Sequence, residues 1–310
     1  MASASPPGVR STPLGAAAVL TAVTAWSLIN TIVKITPVPP VTFAFYRLWL
    51  GAAAMLGVLA LSRRKVAWSD VRASAPGGVL FGLNVVLFFS ALKRTSVADV
   101  LVIAALQPAL TFLVAGPLFS ERVTAYEVRW AVVSVAGVVL VTIGSSGTPA
   151  WSLEGDLLAV GSLLAWTAYF LVSKNARRTV GTIEYMTSVT AIAAAVVTPL
   201  AAFSGQPLGG FRAADWAWLG LFLLGAQGGH VLLAWAHPQI DVSVSSLLIL
   251  AEPILSAVGA LIVLGEPIAG LEVLGGVLVV ASLGAIVRRA TRAGAIAATD
   301  AASGSGPPGP

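Results

Sequence analysis

Few side chains in this sequence can ionise, and those inside long apolar runs are the ones whose chemistry is informative. Glu252 stands about ten residues into the apolar stretch 242–264. On a helix, Ser245, Ser256 and Gly259 fall at i−7, i+4 and i+7 from it, a stripe of small and polar residues on its face. Pro253 has no backbone N–H, which leaves a carbonyl one turn back free for water, solute or an ion. A carboxyl group so placed can load and release a proton; the alternative is a neutral acid that hydrogen-bonds a neighbouring helix. His230, with Gln227 at i−3, is the second candidate for proton coupling, although a lone helical histidine more often serves a local hydrogen bond.

Aromatic and amide groups form a second set. Trp26, Asn30 and Lys34 are spaced i, i+4, i+8, as are Trp166, Phe170 and Lys174. Such stripes can wall a site for an organic or cationic solute, with Asn30 giving hydrogen bonds; equally, indoles pack helices and terminal lysines snorkel. Arg47, early in its apolar run, could attract a carboxylate or snorkel outward. Asn84 and Gln107 are polar groups at mid-run depth that need partners, and a shared cavity is the simplest source of them. Glu121 and Glu266 each close an apolar run, where solvation or helix capping accounts for them.

The elements that would position these groups follow from composition. The chain has 310 residues, 57% hydrophobic and only 10% charged, too few charges to cover a water-facing surface. Crossing a bilayer takes about 20 mostly apolar residues per helix. Ten such segments are present: 14–35, 41–61, 75–92, 97–119, 127–144, 155–174, 182–203, 214–235, 242–264 and 270–287. They are apolar all round rather than alternating, which predicts helices and not barrel strands. The ends, 1–13 and 293–310, are rich in Ala, Ser, Gly and Pro and read as disordered tails. Lys and Arg cluster in alternate loops, as at Arg63, Arg64 and Lys65, and this bias places both termini in the cytoplasm of a plasma (inner) membrane protein.

The chain also repeats itself. Ala25-Trp26 matches Ala165-Trp166 and Lys34 matches Lys174 at one offset; Gln107-Pro108 matches Glu252-Pro253 and Glu121 matches Glu266 at a slightly longer one. The halves, 14–144 and 155–287, hold five segments each, and an odd number inverts the second copy in the membrane. On these residues, in the stretches Ala25 to Lys34, Pro40 to Arg47, Leu106 to Glu121, Ala165 to Lys174 and Leu250 to Glu266, the sequence resembles the EamA family of the drug/metabolite transporter superfamily. The resemblance covers 14–287 and matches an arginine typical of that family at Arg47. It implies a carrier; members handle amino acids, purines, aromatic metabolites and cationic drugs. The run Leu250-Ala251-Glu252-Pro253 is similar to amino-acid exporters, from which the first half departs with Gln107-Pro108.

The expected fold is therefore an all-α integral membrane protein, ten transmembrane helices in two inverted five-helix repeats. The expected function is secondary active transport, as an exporter, of a small organic metabolite by alternating access, with proton coupling or exchange. Its expected partners are a small-molecule solute, the lipid bilayer and protons, with a homodimer open to it and nucleic acid excluded. No cofactor is expected. With no Cys, no His-Glu-x-x-His helix and no Gly-x-Ser-x-Gly elbow, enzyme chemistry is disfavoured. A passive channel or a helical scaffold is the rival reading.

Overall fold

The computed structural model describes residues 12–29, 33, 36–95, 97–121, 123–146, 152–265 and 268–303. Asn30, Lys34 and Glu266 lie outside the described residues, as do most of the N-terminal tail and the last residues of the C-terminal one. The described residues are helical, without strands: α1 Pro13–Ser27, α2 Pro40–Leu61, α3 Trp68–Leu92, α4 Val97–Ala104, α5 Gln107–Phe119, α6 Ala125–Ser146, α7 Leu153–Ala176, α8 Thr182–Phe203, α9 Ala213–Ala236, α10 Val242–Leu248, α11 Glu252–Leu264 and α12 Gly270–Ser303. Nine apolar spans among them are long enough to cross a membrane, with α4–α5 and α10–α11 each counting as one. The first expected span is described only in part, as the shorter apolar helix α1.

Large apolar side chains point outward along these helices, Leu113 and Leu224 at 75% and 74% exposure, and the inward faces are also apolar. That is the pattern of helices solvated by lipid. Helix contact is then set by small residues that let backbones approach. On α9, a Cβ at Gly229 would come within 2.8 Å of the Ala22 carbonyl and 2.9 Å of the Trp26 ring, so this glycine seats α1 and its indole. Gly137 on α6 packs directly on Gly275 of α12 in the same way. The main packing pairs are α1 with α9, α3 with α7 and α8, α2 with α8, and α6 with α12.

Two runs expected as single helices are broken. Residues 97–119 divide into α4 and α5 just before Gln107-Pro108, and 242–264 divide into α10 and α11 through a 3-10 turn, Ile249–Ala251, just before Glu252-Pro253. Proline has no N–H for the carbonyl at i−4, so the α ladder cannot run through either site, whereas the first turn of a new helix accepts it. The C-terminal tail also departs from expectation. α12 continues through 293–303, an Ala-rich segment whose helix propensity extends the last span.

The buried apolar side chains form two large clusters. One gathers α1, α6, α10 and α12 around Trp26 and Phe170; the other gathers α2, α3, α8 and α9 around Phe43, Phe81 and Tyr185. Trp166 packs against both, and the candidate site lies at this seam.

Candidate solute site

A partly open cavity of about 120 Å³ lies between the two clusters. Each wall is a helical stripe. From α7 come Ala159, Ser162, Leu163 and Trp166; from α9 come Phe222, Ala226 and His230; from α3 come Asn84, Val85, Phe88 and Phe89. The α7 set has the i, i+3, i+4, i+7 spacing and the α9 set the i, i+4, i+8 spacing of one helix face, while the α3 set is two adjacent i, i+4 pairs. α1 contributes Trp26 and α2 contributes Arg47.

The two helix breaks contribute in matching fashion. Gln107 and Glu252, the residues before the prolines, both line the cavity; so do Ala104 and Ile249, the residues whose carbonyls lose the proline N–H. Both breaks thus border the cavity, the place where interrupted helices are expected in a membrane protein. Gln107 is 2% exposed and its Nε2 has no hydrogen-bond partner among the described residues.

The aromatic wall is continuous. Trp26 meets Trp166 edge to face, ring centroids 6.3 Å apart, and the His230 ring lies 5.2 Å from Trp26 and 4.8 Å from Phe81. His230 Nδ1 lies 2.6 Å from the Ala226 carbonyl, which can only accept, so the proton sits on Nδ1 and Nε2 is left as an acceptor. Asn84 donates from Nδ2 to the Ser162 carbonyl and hydroxyl, at 3.1 and 3.0 Å, which ties α3 to α7. The Arg47 guanidinium faces the rings of Phe81, Phe89 and Phe222.

Of the residues expected at the site, Trp26, Arg47, Asn84, Gln107, Trp166, His230 and Glu252 share this cavity. Ser256 does not. Its hydroxyl donates to the Ser27 carbonyl at 3.3 Å, and Gly259 beside it packs on Leu28, so that face of α11 belongs to the α1 interface. Glu252 and Ser256 stay one turn apart on the same unbroken helix, so the register is as expected; the cavity reaches only the first residue of α11, and from the next turn on α1 closes against that face. Gln227 likewise points at α2, its Oε1 against Gly51. Sequence reasoning missed Ser162, Phe88, Phe89 and Phe222. Only Ser162, a polar residue deep in an apolar run, carried a local signal.

Glu121 serves elsewhere. Its carboxylate pairs with Lys174 at 3.0 Å and accepts from the backbone N–H groups of Val242 and Ser243 at 2.8 and 3.0 Å, capping α10. Capping was one of the two accounts expected for it.

The EamA-like transporter family model matches residues 13–143 and again 153–288. The chain belongs to the EamA-like transporter family. It is also similar to the uncharacterized transporter YyaM of Bacillus subtilis (strain 168), with 24% identity over 253 residues, 78% of this chain and 82% of that protein. A protein of known crystal structure shares the fold, with a TM-score of 0.74 and 22% identity over 91% of this chain and 99% of the other. This EamA-like protein is thus a multi-pass membrane transporter.

Proposed function

We infer that this EamA-like protein is a secondary active carrier of a small organic solute, working by alternating access around the central cavity. The observation that carries this reading is that both halves furnish the same cavity in equivalent ways. Trp26 faces its repeat counterpart Trp166, and Gln107 sits opposite its counterpart Glu252 in the pattern of breaks. The packing of α1 on α9 is the counterpart of α7 on α3 once the halves are exchanged. Two family matches of similar length support the same division. Such pairing suits ten spans in two inverted repeats with both termini in the cytoplasm, exporting across the plasma membrane.

Glu252 is the coupling residue in this reading. It is the carboxylate among the described cavity-lining residues, and the equivalent position holds Gln107, which cannot titrate, so the proton site is single and asymmetric. Glu252→Gln is expected to keep the fold and solute binding while abolishing accumulation driven by a proton gradient, with solute exchange persisting. Unimpaired gradient-driven uptake in the folded variant would move the role to His230.

Counterflow in proteoliposomes tests the carrier reading. A carrier saturates and shows counterflow, a channel does neither, and a scaffold or enzyme gives no flux. Topology is tested by single cysteines, which have no background in a chain without cysteine. Cysteine at Ser69 or Thr179 is expected to label from the cytoplasm, and at Ser146 or Ser204 from outside. Labelling of 69 and 146 from one side would overturn the inverted arrangement.

A further inference from the structure

Arg47 is only 6% exposed, and its guanidinium carbon stands 5.4, 5.6 and 5.9 Å from the ring centroids of Phe81, Phe222 and Phe89. Among the described residues it has no ion pair and no hydrogen bond to any oxygen. Ring faces offer it diffuse negative potential but no lone pairs for its five N–H donors. The other deeply placed cations on helix ends are satisfied. Lys174 has a carboxylate and the Ile240 carbonyl, and Arg177 has the carbonyls of Ala234 and Val180 and the Thr182 hydroxyl.

A second observation points the same way. Gln107, which lines the same cavity, has its Nε2 buried without a partner among the described residues, and it too is a donor. A buried donor without an acceptor costs stability, and a fixed charge costs more, so a fold that keeps both facing one cavity is complementary to something that brings acceptors. Resting on the reading of this cavity as the solute site, we propose that its solute is an organic monocarboxylate with a flat apolar body. The carboxylate takes the planar fork of Arg47 in two parallel hydrogen bonds. Trp26, Trp166, Phe88 and Phe89 cover the body, and Gln107 donates to a further acceptor on the solute. The three phenyl rings hold the guanidinium in place, so little of its freedom is lost on binding.

The test uses the full chain purified in detergent and three probes of one shape: 3-phenylpropionate, 3-phenylpropanamide and 3-phenylpropylamine. Binding is followed by calorimetry, with unfolding temperature as a check on each variant. The carboxylate is expected to bind at least about tenfold more tightly than the amide, with the amine weakest. Arg47→Gln should bring carboxylate and amide to equal affinity. Arg47→Lys, which keeps the charge and loses the fork, should retain part of the preference and serves if the glutamine variant does not fold. Equal or stronger binding of the amide or amine, a carboxylate preference that survives Arg47→Gln, or no binding of any probe would overturn the proposal. Ala104→Trp, which fills the cavity, separates the two readings. Probes that still bind this variant refute the cavity as the solute site; probes that it excludes, but whose order is reversed in the unaltered protein, refute only the carboxylate.

Discussion

Lys174 at the end of α7 and Arg47 within α2 are both cations with little exposure, and their surroundings are opposite. Lys174 lies in a completed cluster: the Glu121 carboxylate at 3.0 Å, the Ile240 carbonyl at 2.5 Å, and the first N–H groups of α10 held by the same carboxylate. The Glu121 carboxylate thus ties the end of α7 to the start of α10, and the Lys174 ammonium has both an anion and a carbonyl. Arg47 meets rings. The contrast separates a charge that holds elements together from a charge whose counterpart arrives with a ligand, and it does so at similar burial.

Removing one member of each cluster should break the comparison most clearly. Glu121→Ala leaves Lys174 buried without its anion and uncaps α10, and is expected to lower unfolding stability by about 3–5 kcal/mol. Denaturant titration of the protein in detergent measures it. If Lys174 is instead held chiefly by the Ile240 carbonyl and the Phe119 ring, the loss will be under about 1 kcal/mol.

Smaller effects fall on the cavity wall. Trp26→Ala and Trp166→Ala are each expected to weaken solute binding by about 1–3 kcal/mol through lost aromatic contact, with expression and monodispersity retained. Calorimetry on the folded variants checks it, and unfolding of both would return the two indoles to a packing role. The double variant Lys174→Met with Glu121→Gln should recover part of the stability lost by Glu121→Ala, since no lone charge remains; a double-mutant cycle reports the coupling.

The smallest effect sharpens the contrast from the other side. Arg47→Met removes a charge that has no ion pair among the described residues, so stability without solute should change by less than about 1 kcal/mol or rise, in spite of the lost contacts with three rings. The same titration as for Glu121→Ala gives the number. A drop of several kcal/mol would make Arg47 a structural residue after all.

Much of the site was legible before any fold was known. Trp26 and Trp166 could be nominated for their i, i+4, i+8 stripes, His230 and Glu252 as ionisable groups inside apolar runs, and Asn84 and Gln107 as amides at mid-run depth that need partners. Ser256 was nominated for its i+4 spacing from Glu252 and meets α1 instead, since α1 closes on that face of the helix one turn beyond Glu252. Phe89 and Phe222 could not be nominated, because a phenylalanine in a membrane helix gives no local sign of whether it meets lipid, a neighbour or a cavity.

The sequence by itself determined the solvent, the helical spans, the repeated halves and the family. Each of these follows from which residues occur along one segment, and hydropathy, i to i+4 spacing and proline's missing donor act within a segment. Tertiary structure alone decided that Asn84 meets Ser162, that Glu121 closes on Lys174 and α10, and that Arg47 faces three phenyl rings. Those outcomes depend on how far each helix is rotated about its axis. In lipid that rotation is set by where small residues such as Gly229 and Gly137 let two backbones touch, a property of pairs of helices and not of either one.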